Sequence, residues 1–133
     1  MRFIELTEKD KINVAEIDKQ HESVASIISE IHDRLNSEED EVQKLLKKLI
    51  EELEIHFETE EKLMKENRFP GYISHKLEHD RFYNQTLQSV KRYKENKSSL
   101  NAETLERIKR WFFNHLEIND RKCGIFLTSI GIS

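Results

Sequence analysis

Seven side chains of this sequence are of types that bind metal ions, and most of them recur at spacings of about one helical turn. They are His21, His56, Glu60, His75, His79, His115 and Asp120. A spacing of four residues, as between His56 and Glu60, places both side chains on one face of an α-helix. The pair His115 and Asp120 is five apart, slightly more than one turn. Imidazole nitrogen and carboxylate oxygen without sulfur suit iron, and also manganese, zinc or copper.

Apolar residues around these groups repeat every three or four positions, which predicts four amphipathic helices. We expect these helices over about 15–35, from the turn at 36–40 to about Met64 before a break at 67–71, from His75 to a polar stretch at 94–99, and from Asn101 to Gly124. Ser37 is a suitable N-cap for the second helix, and Gly124 is a natural C-terminal stop for the fourth. Because the connections are short, neighbouring helices should be antiparallel. The expected fold is all-α, an up-down-up-down antiparallel four-helix bundle.

The chain has 133 residues, the size of one domain, and its 3 Gly, 1 Pro and 36% charged residues favour long helices. We expect a single domain over 1–133, with a short N-terminal arm over 1–14 and the bundle over about 15–123. The tail over 124–133 is apolar. We expect it to pack back on the bundle, with an oligomer or protein partner contact as the alternative.

An antiparallel bundle would bring all seven groups to one end. His21 lies near the start of the first helix, and His56 and Glu60 lie near the end of the second. His75 and His79 lie near the start of the third helix, and His115 and Asp120 lie near the end of the fourth. Seven ligands exceed what one ion accepts, but two ions bridged by both carboxylates and a solvent oxygen use them well. Three histidines then complete one ion, and two leave the other with an open position. His32 is excluded, because it lies about 16 Å along the helix from His21.

Composition excludes several classes of function. The formal net charge is -4, with 22 basic residues mixed among 26 acidic ones, so we expect no nucleic acid partner. Cys123 is the only cysteine, which excludes an intrachain disulfide and sites built from several thiolates. The first residues lack an apolar signal region and no run of about 18 apolar residues occurs. We therefore expect a soluble, cytoplasmic protein without a membrane partner.

Four separated motifs carry a family resemblance. They are Ile17-Asp18-Lys19-Gln20-His21, His56-Phe57-Glu58-Thr59-Glu60-Glu61, His75-Lys76-Leu77-Glu78-His79, and the segment from Trp111 to Asp120 read as W-x3-H-x4-D. In order and spacing they resemble the hemerythrins and their bacterial relatives over roughly residues 15–123. Ferritin-like di-iron enzymes fit worse, because their E-x2-H pattern is absent.

The resemblance implies two Fe ions and reversible O2 binding for carriage, storage or scavenging, without enzymatic turnover. It implies that His75, His79 and His115 bind one iron and that His21 and His56 bind the iron with the open position. Glu60 and Asp120 would bridge the two irons together with an oxo or hydroxo group.

Such a site needs a pocket that excludes water. We predict apolar walls from residues close to the motif histidines, namely Val24, Phe57, Trp111, Leu116 and Ile118. Cys123 stands where family members often carry Tyr, three residues after Asp120, so we expect its thiol beside the bridging carboxylates. Glu58 and Glu61 are interpreted as part of a solvated face.

Three other functions remain open from the sequence. The first is a redox or O2 sensor that acts through a protein partner. The second is a di-iron enzyme consuming peroxide or nitric oxide, which for peroxide needs a general acid beside the bound oxygen. The third is a metal-free interaction bundle, which leaves seven polar core groups without explanation.

Overall fold

Four helical rods make up the protein. The computed structural model describes residues 2–35, 39–96 and 99–133, and every regular element within these ranges is helical. The elements are a short 3-10 turn (Glu8–Asp10), α1 (Ala15–Asp33), α2 (Glu39–Glu66), α3 (Tyr72–Glu95), α4 (Ala102–His115), a π-helical turn (Leu116–Asp120) and α5 (Arg121–Ser129). The last three follow one another without a break and form the fourth rod. The predicted all-α four-helix bundle is confirmed, while the proposed cap at Ser37 lies outside the described residues.

Local chemistry explains where the second and fourth rods begin or end. Arg68, the second residue after α2, adopts a left-handed conformation with φ of 56°, and the N–H of Phe69 donates to the carbonyl of Met64 at 2.9 Å. This is the usual way to satisfy the last carbonyls of a helix. At the start of α4 the side chain of Asn101 accepts the N–H of Thr104 at 2.9 Å, as an N-cap does.

The fourth rod is not a regular α-helix. Leu116–Asp120 forms a π-helical turn, in which the N–H of Arg121 reaches back to the carbonyl of Leu116. The wider turn matters for the five-residue spacing of His115 and Asp120, because an i to i+5 hydrogen bond aligns residues five apart. Both side chains consequently lie on the buried face, at 4% and 2% exposure.

The prediction that Gly124 stops the fourth helix is wrong. Helix α5 runs through Gly124 to Ser129, and the glycine is explained by close packing. A Cβ atom at Gly124 would lie 2.7 Å from both the Cβ and the carbonyl oxygen of Ile12 in the N-terminal arm. The apolar tail packs back as expected through Leu127, which is fully buried, while Ile125 and Ile130 remain exposed.

Two apolar clusters form the core. The larger extends through the bundle and includes Val24, Phe57 and Leu116, and the smaller joins the arm to the bundle through Ile12, Ile17, Met64, Cys123 and Leu127. None of the described helices combines the length and apolarity needed to cross a lipid bilayer.

Replacing Gly124 by Ala tests the contact between the arm and the fourth rod. If space were free, Gly124→Ala would stabilise the helix by about 1 kcal/mol. Because the methyl group must displace Ile12, we expect instead a loss of about 1–3 kcal/mol in the free energy of unfolding. Thermal denaturation measures this, with the exposed Lys122→Ala on the same helix as control. An unchanged or higher Tm for Gly124→Ala would contradict the close packing.

Candidate metal centre

The structure brings all seven predicted ligand residues together at one end of the bundle. Each of them is buried, with at most 4% of its surface exposed. The ends of α2 and of the fourth rod meet the beginnings of α1 and α3 there, which is the arrangement that an antiparallel bundle imposes. His32 lies apart from this group, stacked on Phe3 with 4.0 Å between ring centroids.

The two carboxylates each divide their oxygens between two sets of histidines. Oε1 of Glu60 lies 2.8 Å from Nε2 of His75 and 3.2 Å from that of His79. Its Oε2 lies 3.3 Å from Nε2 of His56 and 3.8 Å from that of His21.

Asp120 repeats this division. Its Oδ1 lies 3.1 Å from Nε2 of both His75 and His115, and its Oδ2 lies 3.0 Å from Nε2 of His21. Taken together, Oε1 of Glu60 and Oδ1 of Asp120 face a group of three histidines, and the other two oxygens face a group of two.

Donor atoms in each group are close enough to share one ion. The ligand atoms of Glu60, His75, His79, His115 and Asp120 all lie within 4.8 Å of one another, and so do those of His21, His56, Glu60 and Asp120. Ligands at about 2.1 Å from an ion lie at most about 4.2 Å apart across it, so the 4.8 Å limit is wider than the coordination sphere of one ion by only about 0.6 Å. The carboxylates belong to both groups, which is the requirement for a bridge.

Several of these donor atoms have no hydrogen bond to any described residue. They include Nε2 of His21 and of His79, both oxygens of Glu60, and Oδ1 of Asp120. The separations near 3 Å are short, but the directions are not those of hydrogen bonds. Nε2 of His75 and Nε2 of His115 are the exception, because they lie 3.1 Å apart in hydrogen-bond geometry. Buried polar atoms that converge with so few hydrogen bonds among them fit the coordination of metal ions.

The electrostatics of the site favour cations. Burial and the charge of Asp120 act to raise the pKa of Glu60, but the surrounding histidines, led by His56, hold that pKa well below its usual value. The pKa of Asp120 is likewise lowered against burial, chiefly by His115. Burial opposes the charged form of His75, yet its contacts with Asp120 and Glu60 raise its pKa to about 9. The two carboxylates are therefore anionic and need positive charge beside them, from protons or from metal ions.

The seven ligand residues form a polar layer between the two apolar clusters. Along α1, His21 follows Ile17 of the smaller cluster and precedes Val24 of the larger one. Asp120 has the same position in the fourth rod, between Leu116 and Cys123. Apolar packing on both sides lowers the local dielectric and strengthens the attraction between the carboxylates and bound cations.

A small cavity of about 10 Å³ adjoins the group of two histidines. His21, His56, His115 and Asp120 contribute polar atoms to it, and the remaining walls are Val24, Leu53, Phe57, Trp111 and Phe112. Three of the five predicted wall residues therefore line it. Leu116 is buried in the adjacent core but does not line the cavity. The prediction for Ile118 is wrong, because the π-helical turn directs its side chain outward, where it is 58% exposed.

Comparison with known proteins identifies the family. The family model described as the hemerythrin HHE cation binding domain matches residues 13–123, which include all seven groups. The chain belongs to the hemerythrin family. It is 26% identical to a bacteriohemerythrin of Methylococcus capsulatus, over 88% of this chain and 90% of that protein.

Two further hemerythrins match most of the chain. A myohemerythrin of Theromyzon tessulatum is 29% identical over 80% of this chain and 78% of its own length. The crystal structure of a wild-type hemerythrin superimposes with a TM-score of 0.88 at 25% identity, covering 95% of this chain and 98% of that one.

Sequence reasoning missed two partners of the hemerythrin histidines. Nδ1 of His56 lies 2.9 Å from Oε1 of Gln20, and Nδ1 of His79 lies 2.9 Å from Oε2 of Glu61. Such contacts orient the imidazole ring and make its other nitrogen a better ligand. The interpretation of Glu61 as a solvated residue is therefore wrong, since its side chain is only 18% exposed and bonded to His79. Glu58 is exposed as expected.

Cys123 is fully buried and packs with the smaller apolar cluster. Burial raises the pKa of its thiol, and the negative charges of Glu60 and Asp120 raise it further. The electrostatic effect of both carboxylates on the thiol supports the placement beside them, which stays a prediction. At neutral pH it is a neutral thiol, which makes it a poor nucleophile.

Removing the carboxylate of Glu61 tests its contribution to metal binding. Glu61→Ala leaves Nδ1 of His79 without its acceptor, so we expect metal affinity to fall by about 10- to 100-fold. Competition with a chelator measures this, and Glu58→Ala, an exposed glutamate three residues earlier, is the matched control. Equal affinities of the two variants would contradict the role assigned to Glu61.

Proposed function

We propose that this hemerythrin-family protein binds O2 reversibly at a di-iron centre. His75, His79 and His115 would hold one iron, and His21 and His56 would hold the other. Glu60 and Asp120 would bridge the pair. The observation that carries the proposal is the division of each carboxylate between a group of three histidines and a group of two.

The unequal number of histidines in the two ligand groups determines which iron would bind O2. Three histidines with two bridging carboxylates leave less room for another ligand than two histidines do. The small cavity supports this assignment, because both His21 and His56 line it, whereas of the three other histidines only His115 does. A cavity of about 10 Å³ has the size needed for one molecule as small as water.

A pair of ferrous ions would supply the two electrons that reversible O2 binding requires. The protein's own contribution is to position these ions and to keep their surroundings dry. Val24, Leu53, Phe57 and Phe112 line the cavity with side chains that carry no dissociable proton. Withholding protons and water from the site favours departure of the ligand as O2 over its protonation and loss as hydrogen peroxide. The similarity to proteins named bacteriohemerythrin and myohemerythrin supports the same proposal.

Metal content together with the absorption spectrum tests the proposal. We expect about two irons per chain, and a charge-transfer band that appears in air and disappears when O2 is removed under argon. A protein with a single iron, or a band that does not reverse on deoxygenation, would exclude reversible O2 binding.

Adding a hydroxyl group to the cavity wall should shorten the life of the O2-bound form. Val24→Thr changes shape little but introduces a proton donor and attracts water. We expect autoxidation to become faster, by about tenfold if the barrier falls by about 1.4 kcal/mol. The decay of the charge-transfer band measures this.

The control is Val42→Thr, the same substitution at another buried valine, about 21 Å along α2 from His56. Equal autoxidation rates for the two variants would show that the cavity wall does not protect the site.

A further inference from the structure

A second concave site lies on the outside of the bundle, between α3 and α4. It is a groove of about 210 Å³, hereafter the α3–α4 groove. The polar side chains that line it are those of Gln85, Thr86, Gln88, Ser89, Arg92, Thr104 and Arg107. None of the described residues lining it has a carboxylate, although the chain as a whole carries a net charge of -4. The groove is therefore a local region of positive charge on an acidic protein.

The two arginines of the groove are unpaired. Within residues 2–35, 39–96 and 99–133, neither Arg92 nor Arg107 has an ion pair or a side-chain hydrogen bond, and both are exposed. By contrast, Arg2 and Arg121 bind glutamates at 2.9 Å. Guanidinium groups recognise carboxylate and phosphate with paired hydrogen bonds. Two free guanidinium groups beside amide and hydroxyl donors suit an oxyanion.

Trp111 separates the groove from the metal centre. It lines the α3–α4 groove and also the small cavity beside His21 and His56. One ring contact is with His115, at 4.6 Å between centroids and 11° between planes, and another is with Phe82, at 3.5 Å and 8°. Aromatic rings thus extend without interruption from the groove to a ligand histidine.

The dimensions of the groove limit what it can hold. Its volume is below the roughly 300–1,000 Å³ of pockets that enclose a drug-sized ligand. Because His115 and Phe82 stack on Trp111, that ring is not free to stack on a ligand. Recognition therefore depends on charge and hydrogen bonding, which favours a small anion.

We propose that the α3–α4 groove binds a small oxyanionic electron donor, which reduces the oxidised di-iron centre through Trp111 and His115. This inference rests on the proposed function, because it concerns recovery of the centre after autoxidation. In each transfer the donor loses one electron, and one ferric ion becomes ferrous. Any proton that the donor loses goes to solvent. Two transfers restore the diferrous pair that binds O2.

Anion binding is tested first, by titrating the metal-loaded protein with inorganic phosphate in a calorimeter at low ionic strength. The variant Arg92→Gln/Arg107→Gln loses charge-assisted hydrogen bonds, so we expect its phosphate affinity to fall by at least about tenfold. The control Lys91→Gln/Arg110→Gln removes the same charge from α3 and α4 at positions that do not line the groove. It should bind phosphate as the parent protein does.

Electron delivery is tested next, by following reduction of the oxidised protein with ascorbate, an oxyanion that gives one electron. We expect the groove variant to be reduced about tenfold more slowly than the control at subsaturating ascorbate. Reduced methyl viologen, a cationic donor, should reduce both variants equally. Phosphate should slow reduction by ascorbate and leave the rate of reduction by methyl viologen unchanged.

Two outcomes would overturn the inference. One is phosphate binding that survives in the groove variant, which would place the anion elsewhere, for example at the irons. The other is equal reduction of both variants by ascorbate. Neither outcome bears on reversible O2 binding, and loss of reversible O2 binding would not change the calorimetric result, so the two proposals fail separately.

Discussion

The structure depends on how two carboxylates can remain ionised inside a helical bundle. Glu60 and Asp120 are at most 2% exposed. The charge of Asp120 acts to raise the pKa of Glu60, and the charges of both raise the pKa of the Cys123 thiol. Such a pair is stable only when positive charge lies beside it. Five imidazole nitrogens surround the pair, and metal ions held between nitrogen and oxygen satisfy both sets of atoms at once. The helix ends at the site lie where they bring these carboxylates and imidazoles together.

The backbone is adapted to this demand at two places in the fourth rod. The π-helical turn over Leu116–Asp120 brings His115 and Asp120 to the same side, which a regular helix does less well at a spacing of five. One turn further on, Gly124 lets Ile12 of the N-terminal arm approach closely. The arm is also held by Arg121, which donates to the carbonyl of Lys9 at 2.6 Å. The arm therefore closes the metal end of the bundle with an apolar layer.

The sequence was sufficient to predict the bundle and the convergence of the seven polar groups, because both follow from periodicity and from short antiparallel connections. It did not predict the direction of Ile118, since an α-helical period was assumed where the chain forms a π-helical turn. The prediction that Gly124 ends the helix failed because a single sequence does not distinguish a glycine needed for packing from a glycine that ends a helix. Glu61 was misread for a related reason: its acceptor role depends on His79 of another helix. That residues 1–133 form one domain, and that the tail contacts a partner, stay predictions.

The central claim is that both carboxylates span two metal positions with unequal numbers of histidines. Crystals of the iron-loaded protein, measured on both sides of the iron absorption edge, test this most directly. The account predicts two anomalous peaks, each within ligand distance of one oxygen of Glu60 and one of Asp120, with three histidines on one peak and two on the other. A single peak, or two peaks that do not share these carboxylates, would contradict it.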